Sequence, residues 1–260
     1  HSFRKTFLAQ LPDGPPVMRN ALAKLSRWTV NAIAVFALGS VAVASEPADY
    51  LGRGGRHRML TGDLPPGAVG QARLAGRGPV VGYFQPVSLS GPEGIGFALP
   101  SSGTFLEPVE NLQAGLLSGS VYRFRITGIP AAAGAELYPT IELIDRTYPP
   151  PGLATRYPIE IRLDQEDLDA AIAGQMVTRV IYLEDPETAT PIEQTRQTMA
   201  PLDIAEHQDA LEVADRLGRP VAIVRIGSMS PPRSPALLPQ FFFGNPVWVP
   251  IYQPEPTSQP

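Results

Sequence analysis

The residues best placed to do chemistry lie in LDQEDLDAAIAG, residues 163–174, where Asp164, Glu166, Asp167 and Asp169 fall within six positions. Carboxylates this dense can hold a divalent cation, form an acid–base pair, or open a helix. A calcium loop of the EF-hand kind needs oxygen ligands at alternate positions and glycine at the sixth. Counted from Asp164, the fifth position is Leu168 and the sixth is Asp169, so that spacing fails. The helix reading fits better. Asp164 is placed to cap the first backbone N–H groups, with Asp167 three residues on, and acidic residues suit the positive end of a helix. Leu168, Ala171 and Ile172 form one apolar stripe, and Gly174 is a suitable stop just past the last turn. The spacing therefore predicts a short capped helix with a solvated acidic face.

Other reactive groups are sparse. The chain has no Cys, which removes thiol catalysis, iron–sulfur clusters and Cys-based zinc sites. His57 and His207 are far apart and form no H-x-x-x-H pair; His207 is expected on the apolar side of a helix. Ser90, Ser118 and Ser228 all miss the G-x-S-x-G elbow. No Lys follows Lys24, so a phosphate loop ending in Gly-Lys-Ser/Thr is absent from there on. The sequence points to no metal and no cofactor. Carboxylates for polymer hydrolysis can come from separate strands. An extracytoplasmic metal-independent hydrolase using paired carboxylates is thus the alternative to a non-catalytic role.

Two groups of residues suit recognition instead. The loop DRTYPPPGLATRYP, residues 145–158, sets Arg146, Tyr148, Arg156 and Tyr157 around three prolines. Tyr and Arg dominate binding hot spots, and Pro limits the freedom lost on binding. The stretch from Ser230 is rich in Pro and carries a concentrated aromatic group that includes Phe242, Trp248 and Tyr252. Exposed aromatic patches usually mark contact sites. That stretch can dock on a partner, or VWVPIY can fold back as an edge strand; folding back is the favoured expectation.

These groups need a scaffold. Residues 80–229 show short apolar or alternating runs cut by Gly and Pro. SVYRFRITGIP places Tyr122, Phe124 and Ile126 on one face; YPIEIRL does the same with Ile159, Ile161 and Leu163. MVTRVIYLE has apolar groups on both faces and reads as a central strand. PLDIAEHQDALEVADRLG predicts a second helix, with Asp203 as its cap, Glu206 as the answering residue and Gly218 as its stop. VAIVRIG follows as a buried strand. The expected fold is α+β, mainly β: a β-sandwich-like body with two short helices in the C-terminal half.

The N-terminal third reads differently. Residues 18–44 carry basic Arg19, Lys24 and Arg27, then an apolar run, then Ala42-Val43-Ala44. That is the pattern of a secretory signal peptide. The apolar run is shorter than the roughly 20 residues of a membrane span. Residues 1–17 read as an upstream leader outside the native protein, and residues 45–79 as a Gly/Pro/Arg-rich linker. Of the 21 basic and 25 acidic residues, five basic (Arg4, Lys5, Arg19, Lys24, Arg27) and one acidic (Asp13) precede Ser45. The remainder holds 16 and 24, a formal charge of −8. Such a domain is not a nucleic-acid binder, because phosphate affinity needs basic clusters.

AELYPTIELI, GQMVTRVIYLEDP and ADRLGRPVAIVRIG together resemble an uncharacterised family of exported bacterial envelope proteins. The resemblance spans roughly residues 80–227. It implies an exported product in the periplasm, cell envelope or extracellular space, with no established activity. It implies no catalytic or ligand residue. The expectation is a structural or binding role toward an envelope protein or a glycan, with no membrane span after signal cleavage.

Overall fold

MVTRVIYLE does become a central strand, β11 (Met176–Glu184), and its alternation sets the layers of the molecule. Val177, Ile181 and Leu183 turn to one apolar core, while Val180 and Tyr182 turn to another. In this computed structural model the described residues are 3–10 (as backbone), 62–76, 78–185, 187, 202–205 and 207–251. In chain order they form β1 (Phe3–Gln10), α1 (Ala68–Ala75), β2 (Phe84–Ser90), β3 (Gly96–Ala98), β4 (Pro100–Ser101) and β5 (Thr104–Phe105). Then come β6 (Leu112–Leu117), β7 (Val121–Arg123), β8 (Arg125–Thr127), β9 (Thr140–Leu143), β10 (Ile159–Arg162) and α2 (Gln165–Ile172). After β11 follow β12 (Leu202–Asp203), α3 (Ala210–Leu217), β13 (Gly218–Ile226), α4 (Leu238–Phe241) and β14 (Trp248–Pro250).

The fold is α+β and mainly strand. One sheet has the order β12-β1-β11-β13-β9-β7, a second β10-β2-β6-β14, and two strand pairs, β3-β8 and β4-β5, complete it. The two large sheets share one core. Val87, Leu89, Ala114, Leu116, Ile159 and Ile161 from the second meet Ile141, Leu143, Val177, Ile181 and Val224 from the first. The far face of the first sheet is covered by α1 and α3, through Val69, Ala210, Leu211 and Ala214 against Val180, Tyr182 and Ile223. The layers are therefore helix, sheet, sheet. The expected single strand over SVYRFRITGIP is divided: β7 pairs with β9, and β8 pairs with β3. Tyr122, Phe124 and Ile126 are nonetheless all fully buried, as the alternation requires.

Several expectations need correction. Part of the supposed linker over 45–79 is a packed element, α1. Val69 is fully buried, and a Cβ on Gly70 would lie 3.1 Å from the Gly119 backbone and the Leu143 carbonyl, so only glycine lets the helix sit this close. Eight residues with one buried apolar side chain leave little periodicity to detect. The second helix starts at Asp209, whose carboxylate accepts from the Glu212 N–H at 2.9 Å. Leu202–Asp203 instead pairs with β1, so Asp203 is not the cap of this helix. His207 precedes the helix and is exposed rather than packed on its apolar side. Residues 3–10, set apart above as a leader, run parallel to β11 from Phe3↔Met176 to Gln10↔Leu183. The signal-peptide stretch 18–44 lies outside the described residues. No helix among the described residues is long and apolar enough to cross a membrane.

The C-terminal stretch folds back. β14 pairs antiparallel with β6 at the sheet edge, with Trp248 opposite Leu116. An edge strand is where Pro250 can be tolerated, because one side of its backbone has no ladder to join.

Candidate functional site

The loop that carries Arg146 and Tyr148 is anchored on one buried carboxylate, Asp145, which is 3% exposed. Asp145 follows β9, and its backbone N–H donates to the Val221 carbonyl of β13. Three arginines then gather around it. Arg73, from the last turn of α1, donates to Oδ2 at 2.7 Å. Arg219, near the start of β13, reaches the same oxygen at 3.0 Å. The Arg146 backbone N–H donates to Oδ1 at 2.8 Å, and the Arg219 guanidinium donates to the Arg146 carbonyl at 2.9 Å. Buried and charge-assisted, these bonds hold the corner of three elements in one geometry.

Rings hold the Arg146 side chain. Its guanidinium lies 4.7 Å from the Tyr83 ring centre and 4.4 Å from that of Tyr148, and the Arg219 guanidinium covers Tyr148 at 4.8 Å. These are cation–π distances. Arg146 Nε is buried and makes no hydrogen bond among the described residues. Tyr148 remains 59% exposed even though two guanidinium groups brace its ring. Thr147, between them, turns inward; its N–H donates to Gln85 Oε1 at 2.8 Å and its hydroxyl to the Tyr157 carbonyl at 3.2 Å. That second bond ties the two ends of the loop together.

The four loop residues singled out by sequence thus separate. Arg146 and Tyr148 stack. Arg156 is exposed and takes no part in the stack, and Tyr157 contributes its backbone carbonyl. Sequence reasoning missed Arg73, Tyr83 and Arg219, which come from α1, the approach to β2, and β13. Arg73 had a weak local signal, a cation in the last turn of a helix. Nothing local pairs Tyr83 with Arg146 or Arg219 with Tyr148.

The aromatic residues of the tail are not a free contact surface. Phe242 is 2% exposed and packs edge-on against Phe105 and Phe241, centroids 5.1 Å apart in each case. Trp248 lies against the main core and its indole N–H donates to the Pro100 carbonyl at 2.9 Å. Phe242 belongs to a small aromatic cluster with Phe105, Tyr138 and Phe241, while Trp248 packs against the core between the sheets. Tyr252 lies outside the described residues.

Three of the carboxylates are drawn into ion pairs with arginines of the large sheet. Asp164 caps α2, accepting from the Asp167 N–H at 3.0 Å, as its spacing predicts. It also pairs with Arg179, and Asp167 does the same from the other side. Asp167 is therefore 1% exposed, not part of a solvated face. Arg179 shares the inward face of β11 with Val177 and Ile181, and two carboxylates offset its burial at 2% exposure. Glu142, fully buried on the helix-covered face of the large sheet, accepts from Arg225 at 2.9 Å and from the Gly70 N–H at 2.7 Å. Asp164 and Asp167 do converge, but on the guanidinium of Arg179, which pairs with both. Among the described residues no three His, Asp or Glu side chains gather as a metal site would need.

No family model matches the chain, and neither the curated proteins nor the solved structures contain a match.

Proposed function

We propose that this is an exported, non-catalytic binding domain of the cell envelope, and that it engages an anionic partner through the face made by Arg146, Tyr148 and Arg219. One observation carries the reading. The Arg73 and Arg219 guanidinium groups share the single carboxylate of Asp145 and the Arg146 guanidinium stacks beside them, so the corner holds more positive charge than its own acid offsets, around a Tyr ring that is 59% exposed. Exposed Tyr braced by Arg is the composition of a binding hot spot: a stiff apolar surface that loses little freedom on contact, beside cations that select charge. The arginines that pair with the other buried carboxylates hold the fold together; this corner also faces solvent. The signal-like stretch over 18–44 supports export, and the partner is read as an acidic segment of another envelope protein.

The test is capture from envelope extract by the wild-type chain and by three variants. Tyr148→Ala and Arg146→Glu are expected to lose the captured partner while keeping the wild-type melting temperature within a few degrees. Arg156→Glu, on the same loop but outside the stack, is expected to retain it. Equal capture by all four chains, or capture that rising salt does not weaken, would remove the proposal.

A further inference from the structure

A second arrangement lies on the helix-covered face of the large sheet. Cross-strand register puts Arg123 opposite Thr140, Thr140 opposite Arg225, and Arg225 opposite Thr178. Residues directly opposite on adjacent strands share a face, so the four form one polar row across β7, β9, β13 and β11. The next row along the same strands, Val121, Glu142, Ile223 and Val180, is covered by α1 and α3. The polar row is not. It lines a groove of about 760 Å³ whose walls are Leu64, Pro65, Pro66, Met176 and Met229.

The two arginines of the row differ. Arg225 is satisfied: it pairs with Glu142 and donates to the Gly62 and Leu64 carbonyls, both at 3.2 Å. Arg123 is 7% exposed and has no carboxylate within ion-pair distance among the described residues. Two backbone carbonyls, of Phe241 and Tyr138, accept from it at 2.8 Å, and its guanidinium lies 4.5 Å from the Phe241 ring centre. Burial pulls it down to about 10, so it is charged at neutral pH. Two neutral acceptors and the rings of Phe241 and Phe243 do not cancel a formal charge, and a buried cation of this kind is costly unless an anion completes it. Beside it, the Thr140 hydroxyl is buried and has no hydrogen-bond partner among the described residues. The acid on the groove, Asp63, sits on its exposed rim.

We propose that this groove binds a small organic carboxylate with an apolar body, its carboxylate meeting Arg123 and the Thr140 hydroxyl and its hydrocarbon lying against Leu64, Pro65, Pro66, Met176 and Met229. A free inorganic anion would leave the apolar walls unused, and a neutral hydrocarbon would leave Arg123 without an anion. The volume is in the range of small-molecule sites. The site is separate from the Asp145 corner and stands without it.

Isothermal titration of the full chain with octanoate, octanamide and inorganic phosphate tests the assignment. Octanoate is expected to bind, and octanamide to bind about tenfold more weakly or worse, as the loss of a charge-assisted contact requires. Phosphate is expected to compete poorly. Thr140→Val, nearly isosteric, should weaken octanoate severalfold, so the result does not depend on whether Arg123→Gln folds. Equal binding of octanoate and octanamide, binding of phosphate alone, or no binding of any of the three would each overturn the proposal.

Discussion

At the scale of single residues, buried polar groups in this protein are held by specific partners, and their removal has predictable signs. Tyr122 is fully buried; its hydroxyl accepts from the Leu117 N–H at 2.8 Å and donates to the Val247 carbonyl at 2.6 Å. Burial pushes its ionisation up to about 12 from the usual 10. The folded state therefore keeps its proton after the unfolded chain has lost it. Its contribution is full below pH 10 and is lost as pH rises from about 10 toward 12. Tyr122→Phe should cost about 1–3 kcal/mol at neutral pH, since it leaves two backbone groups unpaired. It should also flatten the fall in melting temperature over that alkaline range, measured by circular dichroism. Arg179 gives the converse test. Arg179→Met leaves Asp164 and Asp167 facing each other without a cation and should cost about 3–5 kcal/mol in urea unfolding. Adding Asp167→Asn should recover part of that loss; a double variant no more stable than Arg179→Met would show that the pair is not coupled.

At the scale of elements, caps and edges decide what forms. Asp209 does two things at once: Oδ1 caps α3 and Oδ2 accepts from the Gly62 N–H at 2.9 Å, which ties the segment before α1 to the start of α3. Asp209→Ala should cost about 0.5–2 kcal/mol. Asp203→Ala, at the position the sequence pattern favours as the cap, should loosen α3 less than Asp209→Ala does, because Asp203 lies in β12 rather than at the start of α3. A reversed order in chemical unfolding would restore the earlier helix start. The C-terminal segment gives a larger effect. Deleting residues 230–260 removes β14 from the edge of β6, uncovers Phe105 and Tyr138, and takes away the acceptor of Tyr122 and one of the two acceptors of Arg123. The truncated chain should melt lower and bind a hydrophobic dye; an unchanged melt would mean that β14 adds nothing to the sandwich.

At the scale of the whole molecule, export and sheet composition are linked. Processing after Ala44 would remove β1, which lies between β12 and β11 in the large sheet. The mature molecule would then present the β11 backbone over Met176–Leu183 as an edge. Hydrogen exchange of a chain beginning at Ser45 should show those amides opening faster than in the full chain, with β13 and β9 unchanged. If the protein recovered from cells carries residues 3–10, the export reading fails and β1 belongs to the working fold.

What could be read in the sequence was whatever repeats at short range. Period-two burial marked β10 and the Tyr122–Phe124–Ile126 face, apolar groups on both faces marked β11, and the Asp164 cap followed from a spacing of three, because local backbone geometry sets each. The mainly β class and the presence of α2 followed from these. Only the tertiary structure decided what charge and aromatic groups do. Arg179 looked like one residue of an alternating strand until Asp164 and Asp167 closed on it. Arg219 joined Tyr148 from 71 residues away, and Tyr83 joined Arg146 from 63 residues away. The row of Arg123, Thr140, Arg225 and Thr178 exists only through the register of four strands. Local preference is a property of neighbours in the chain, whereas desolvation and pairing depend on neighbours in space, and those are set by how the sheets stack.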